Sequence, residues 1–393
     1  MNQTETKPLS PLIFIPLLSL IFIRPFISGL AYPAFEMFYE NILIFLAIMI
    51  LFMERSRFKL YPKNFSNFPV IFLLFAYAIS TIFSINIQNS IRETLKFISF
   101  FAIFFMVSQS DEKQKKLLLK TIVIAASIIS LYSIYQYFWG YGRTLDYLQK
   151  TNSDFLSTSS YARDILLSKR AIGTFPSPNI LAGYLIIMFF LAMHLQRRIS
   201  LVLITAALIL TKSMGAWLSL IAALIYLGNF VSYPKGNLRS YRGKLMAVLI
   251  VAILCFILVN RWERLMNMEN PQNSITQRLN YWRTAIAIIK DQAIFGVGPG
   301  NFQEVFLGHK VGLGTDTRYA HNIFLHIWSE IGILGLVGVF YLIINFFRKA
   351  RSQSSYRFIL CGGLVFILHN LIDNTFFMPQ AALFWWILLA SKE

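Results

Sequence analysis

Apolar residues run along this chain in long unbroken blocks, separated by short clusters of charge. The blocks extend for about 17 to 25 residues, the length of a helix crossing a hydrocarbon core of about 30 Å. None alternates with the period of two that marks the strands of a membrane barrel. The pattern predicts spans near Leu9–Ala31, Met37–Met53, Pro69–Ile87, Thr94–Gln109, Leu117–Trp139 and Asn179–Gln196. More follow near Ile199–Lys212, Gly215–Val231, Gly243–Val259, His321–Phe347, Tyr356–Asp373 and Phe377–Ala390. The expected fold is an all-α polytopic membrane protein of about twelve transmembrane helices, because lipid leaves no other partners for backbone polar groups. Residues 1–393 are expected to form a single integral membrane domain. The first block lacks a small-residue cleavage site and reads as a signal anchor.

Orientation follows from Lys and Arg in the short loops. Arg55, Arg57, Lys59 and Lys63 fill one such loop, and Lys113, Lys115, Lys116 and Lys120 the next on the same side. Arg197 and Arg198, then Lys235, Arg239, Arg242 and Lys244, then Arg348, Lys349, Arg351 and Arg357 continue the series. This set alternates correctly with both termini in the cytoplasm. Two longer loops, at about 140–178 and 260–320, then face outward.

Composition strengthens this reading. Hydrophobic residues make up 56% of the chain and charged ones 14%, against about 25% charged in a soluble domain. The mean hydropathy is +0.58. The net charge of +18 is accounted for by cytoplasmic loops, so no nucleic-acid partner is expected. Cys255 and Cys361 both fall in predicted spans, which argues against a disulfide framework. No His, Cys and carboxylate cluster has metal-ligand spacing.

The two outer loops hold aromatics and glycine turns, which suits function better than disorder. Ile275, Leu279, Trp282, Ile286 and Ile289 recur at helical spacing and predict an amphipathic helix lying on the membrane surface. Ser274 and Gln277 read as its capping box, and the run Gly296-Val297-Gly298-Pro299-Gly300 stops it. Arg278 and Arg283, five residues apart, border one groove without sharing a narrow face. Arg163, Lys169, Arg170, Lys212, Arg261, Arg264, Lys310 and Arg318 also lie outside, against the charge bias. They call for an anionic ligand or local carboxylates. Arginine suits a diphosphate because its planar fork gives bidentate, charge-assisted hydrogen bonds.

The tenth span begins at Ala320-His321-Asn322, placing His321 at its outer mouth and Asn322 as a helix cap. Glu330 lies deeper, where an ionisable side chain is usually paired or functional. Gly332, Gly335 and Gly338 are spaced to let another helix approach closely. Asp373 and His369 sit near the outer end of the eleventh span, without a local feature that singles them out. Arg24, near the outer end of the first span, is expected to snorkel to the interface.

Four segments resemble the O-antigen ligase/polymerase superfamily of bacterial inner-membrane glycosyltransferases. They are Arg170 through Phe175 with Pro178-Asn179; Thr211 through Trp217; Arg278 through Trp282 to Phe302; and His321-Asn322 with Gly332 and Gly335. The last fits the ligase pattern of His-Asn, nine residues, Gly-x-x-Gly. The resemblance covers about half the chain closely. It implies a lipid-donor glycosyltransferase of the inner membrane, with its active site facing the periplasm. The donor would be a glycan on undecaprenyl diphosphate and the acceptor a sugar hydroxyl of lipid A–core or another glycan, with no cofactor or metal. His321 would take the acceptor's proton. Arg170 and Arg278, with Lys212, Arg283 and Arg318, would hold the diphosphate. Asn179, Trp282, Asn322, Glu330, Gly332 and Gly335 would shape the site. Met214 stands where the family usually has an arginine, which leaves Lys212 as the nearest substitute charge.

Three alternatives stay open. A polymerase would extend the lipid-linked chain, a protein O-oligosaccharyltransferase would change the acceptor, and a polysaccharide flippase would carry the glycan without chemistry. A flippase predicts charges lining a central cavity, and the charges here gather toward one face.

Overall fold

A computed structural model describes residues 8–28, 31–53, 68–151, 165–167, 169–230, 266–267, 269–270, 273–312, 315–350 and 356–391. Every regular element among them is helical. In chain order these are α1 (Pro11–Ile23), α2 (Pro33–Met53), α3 (Phe68–Ile82), α4 (Ile87–Ser108), α5 (Glu112–Tyr135), α6 (Tyr141–Thr151) and α7 (Pro178–His194). They continue as α8 (Arg198–Thr211), α9 (Met214–Phe230), α10 (Ser274–Asp291), α11 (Phe302–His309), α12 (Ile323–Ala350), α13 (Arg357–His369) and α14 (Pro379–Ser391). A π-helical turn at Gln136–Gly140 joins α5 to α6. Three segments, Pro33–Met53, Glu112–Thr151 and Ile323–Arg348, are long and apolar enough to cross a membrane, and several shorter apolar helices accompany them.

Each predicted span coincides with a helix except Gly243–Val259, which lies outside the described residues together with Cys255, Arg163, Arg261 and Arg264. Boundaries follow local chemistry. Asp111 and Gln114 close a capping box at the start of α5: Gln114 N donates to Asp111 Oδ1 at 2.7 Å, and Asp111 N to Gln114 Oε1 at 3.3 Å. Lys212, with φ of 52°, separates α8 from α9. α4 begins at Ile87, a good deal earlier than Thr94, because Arg92, Glu93 and Lys96 all continue the helix and Glu93 pairs with Lys96.

The chain divides into two compact units. The first comprises 1–55, 102–216 and 375–393. There α7 packs on α5, α8 and α14, and α1 on α2 and α5. Arg24 corrects the snorkelling expectation. Its side chain is fully buried and Nη2 donates to both oxygens of Glu36, at 2.6 and 2.8 Å. The guanidinium also lies 5.0 Å from the Tyr39 ring centroid. A carboxylate across the α1–α2 turn supplies what the interface was expected to supply.

The second unit comprises 56–101 and 217–374. Its axis is α12, packed against α3, α10, α11 and α13. α12 is broken at Gly332, whose φ of 72° and ψ of −168° are non-helical. The expectation of a glycine stripe for helix crossing is therefore corrected at this position. The glycine run that follows α10 fills the break. Val297 N donates to Ser329 O and Gly298 N to Glu330 O, both at 2.9 Å, while Ile333 N donates to Ala293 O at 3.1 Å. Ser80 Oγ of α3 also reaches Glu330 O, at 2.8 Å. The polar groups exposed by the break are thus satisfied by protein, the condition for irregular backbone within a membrane helix. A Cβ on Gly332 would overlap the Ile294 and Phe295 backbone. Gly335 faces Ile331 of the preceding turn, and Gly338 faces Leu73 of α3, as a close helix approach requires.

Candidate functional site

In the second unit, α10 carries the arginine and α12 the histidine singled out above. α10 starts one residue earlier than a Ser274 cap would require. Asn273 is the N-cap, its Oδ1 accepting from Ile275 N at 3.0 Å, so the Ser274–Gln277 capping box is corrected. Asparagine caps at least as well as serine. The buried face is Tyr281, Thr284, Ala285, Ile288 and Ile289, so of the expected stripe Ile289 is buried while Leu279 and Ile286 are exposed. Trp282 meets His321 and Trp328 meets Ala293, so α10 and the first half of α12 run parallel and side by side.

That pairing brings Arg278, Trp282 and His321 together. Arg278 Nη2 lies 3.4 Å from Asp373 Oδ2, in the segment that follows α13. Trp282 Nε1 donates to His321 O at 3.4 Å. The His321 ring stacks on Tyr281, with centroids 5.6 Å apart and planes 24° from parallel. Asn322 caps α12, accepting from Phe324 N and Leu325 N at 3.0 and 3.1 Å, and its Nδ2 donates to Leu371 O at 3.0 Å. Those two anchors tie the start of α12 to the end of α13 and so hold His321 beside Asp373.

His321 adopts φ of 53°, a left-handed conformation uncommon for a side chain of this size. Its Nδ1 is sealed from solvent with no hydrogen-bond partner, and so is Arg278 Nε. Buried polar atoms are rarely left orphaned, and two in one site point to a missing partner. Desolvation pushes the His321 imidazole down to about 4; the Asp373 charge acts in the opposite direction and Arg278 in the same one. Burial raises the Asp373 carboxyl, but His369, Arg278, His321 and the Asn374 amide together hold it below the usual carboxylate range. The resting site is a neutral imidazole beside an ionised Arg278–Asp373 pair.

Deeper along α12, Glu330 supports the same assembly. Its carboxylate accepts from Gly300 N at 2.9 Å and Phe302 N at 3.0 Å, capping α11, and lies 3.5 Å from His326 Nε2. Other expected site residues are turned elsewhere. Arg283 is exposed on the face of α10 away from this packing. Arg318 faces Glu93 at 3.5 Å. Lys310 pairs locally with Asp316 at 3.0 Å.

In the first unit, Arg170 fastens its own surroundings. Nε donates to Thr211 O at 2.9 Å and Nη2 to Asn179 Oδ1 at 2.8 Å. Tyr141 OH donates to Arg170 O at 2.6 Å. Lys212 Nζ lies 5.6 Å from the Tyr137 ring centroid. Arg170, Asn179 and Lys212 are thereby gathered where α7 begins and α8 ends, with Met214 opening α9.

Residues 199–340 match the O-antigen ligase family. Members of that family are glycosyltransferase-like ligases and polymerases acting on lipid-linked glycans, so a stretch of this chain is similar to such enzymes. The match takes in Lys212, Arg278, Trp282, His321, Asn322, Glu330, Gly332 and Gly335, while Arg170, Asn179 and Asp373 fall outside it. No curated protein matches the chain. Sequence reasoning passed over Tyr281, hidden beside Trp282; Asp373 was noted at the end of its span, with no local feature to mark it as the partner of Arg278.

Proposed function

We propose that this protein transfers a glycan from undecaprenyl diphosphate to a sugar hydroxyl of lipid A–core, on the outer face of the bacterial inner membrane. The reading includes about twelve spans with both termini in the cytoplasm. It is carried by one observation: His321 Nδ1 and Arg278 Nε, both within the stretch that matches the O-antigen ligase family, are buried without partners beside Asp373.

The chemistry follows from the charges. The acceptor oxygen attacks the anomeric carbon, its bond to the donor phosphate breaks, and the diphosphate leaves with the electron pair. His321, neutral at rest, takes the acceptor's proton. Asp373 stabilises the imidazolium that forms. Arg278 offsets charge on the leaving diphosphate, an interaction worth most in a site that excludes water. Trp282, Asn322, Glu330, Gly332 and Gly335 hold the surrounding backbone in place.

The test is purified protein supplied with lipid-linked glycan and several acceptors. Modified lipid A–core is the expected product. A ladder of longer lipid-linked chains would make the protein a polymerase instead, and a glycosylated peptide would make it a protein O-oligosaccharyltransferase.

A further inference from the structure

The N-terminal half of α4 carries a polar stripe that the mechanism above does not use. Asn86, Asn89, Ser90 and Glu93 recur at three- and four-residue spacing, on one helical face. Asn86 and Asn89 both donate to Glu304 Oε1, at 3.3 and 2.7 Å. Ser90 Oγ donates to Pro299 O at 3.0 Å and accepts from Asn301 Nδ2 at 2.9 Å. The stripe thus clamps the glycine turn and the start of α11. Glu93 ends it, and differs from the others in reaching a second segment.

Glu93 is buried and divides its carboxylate between two cations. One oxygen pairs with the buried Lys96 of the next turn, and the other lies 3.5 Å from Arg318 Nη2. Arg318 stands three residues before His321. Between them, Thr317 Oγ1 donates to Tyr319 O at 2.9 Å, the Tyr319 ring packs on His326 at 5.3 Å, and Ala320 N donates to His326 Nδ1 at 3.4 Å. A left-handed non-glycine residue is strained and persists only where its surroundings over-determine it. Asn322 fixes the downstream side of His321. On the upstream side, the charged anchor is Arg318 on Glu93.

We propose that Glu93 is a positioning residue for glycan transfer: pinned by Lys96, it holds Arg318 and thereby sets the backbone from which His321 projects. This rests on the function proposed above and assigns Arg318 a role other than holding the diphosphate. Glu93→Gln alone would take the carboxylate countercharge away from the buried Lys96 and endanger folding. Two other variants avoid that. Arg318→Gln changes a half-exposed side chain, and Glu93→Gln with Lys96→Gln removes the buried pair together.

Each should lower kcat by about 10- to 100-fold, as misplacement of a reacting group by about 1 Å does. The donor KM should stay unchanged, and amide hydrogen exchange at residues 317–321 should quicken. Arg318→Lys should recover part of kcat, because an ammonium still meets the carboxylate as a point charge. A raised donor KM with unchanged kcat would show that Arg318 touches the donor itself, and would overturn the proposal. Unchanged exchange at 317–321 in both variants would overturn it as well. If the unaltered protein transfers no glycan, the proposed function falls, and the exchange measurement still decides whether Glu93 holds this segment.

Discussion

Arg278 and Asp373 stand 3.4 Å apart although 95 residues separate them in the chain. One lies on α10 and the other beyond α13, and the pair flanks the histidine at the start of α12. Arg278 makes its contact while about three-quarters buried, and Asp373 is almost wholly so. Removing either member would leave a buried charge without its counterion, which is more disruptive than losing a surface pair.

His321→Asn should abolish glycan transfer and leave thermal stability within about 1 °C. Asparagine tolerates the left-handed backbone that alanine would strain, so it separates the chemistry from the fold. Turnover of lipid-linked glycan and a melting curve in detergent check this. Retained turnover would remove His321 from the mechanism.

The pH profile should carry the sign of the local charges. His321 must be neutral to accept a proton, so kcat/KM should fall as pH drops through about 4, the free-enzyme value that this parameter reports. Asp373→Asn takes away the charge that raises the imidazole and should move the acid limb lower, with a reduced kcat. Arg278→Ala takes away a charge that lowers it and should move the limb higher, with poorer use of the donor. An acid limb that stays fixed in both variants would mean that it belongs to another group.

Stability should follow the same titration. An imidazole held below its unfolded value of about 6.5 favours the folded state fully above that pH. The contribution is lost as pH falls from about 6.5 toward about 4. In His321→Asn the melting temperature should vary less over that window than in the unaltered protein.

Gly332→Ala should destabilise the protein by several kcal/mol. The residue has φ of 72°, and a Cβ there meets backbone of Ile294 and Phe295, which cannot swing aside. Gly335→Ala would press on the Ile331 side chain within its own helix and should cost less. Unfolding temperatures of the two variants in one detergent give the comparison.

Glu330→Gln should cost about 1–3 kcal/mol, the range for leaving a buried hydrogen-bonding group unsatisfied, since the side-chain carboxyl group serves two backbone amides at once. Faster proteolysis within 296–310 would report the loosened turn.

The helices were legible because lipid imposes a simple rule: apolar blocks of the right length announce themselves without any partner. Glycine spacing, the Lys212 break and the His321–Asn322 helix start were visible for similar local reasons. What escaped depended on partners remote in the chain. Glu93 falls just outside the predicted span and Lys96 just inside it, and neither is explained until each is seen to neutralise the other within α4. Arg24 looks solvated until Glu36 is brought across the turn. Gly332 reads as one of three glycines on a helix, and only the carbonyls of Ala293 and Ile294 show that the helix stops there. The stripe on α10 misled because that helix has two apolar faces, and periodicity alone does not say which one faces protein.

The interruption of α12 also limits what a helical wheel can say about it. Angular position counted from His321 holds through Ile331 and resets beyond Gly332, where the chain leaves one helix and enters another. Gly335 looks back across the break to Ile331 and Ile327, and Gly338 looks to Leu73 of α3. Any mutational scan of residues 323–350 designed as a single cylinder would assign the lower half of its positions to the wrong neighbours.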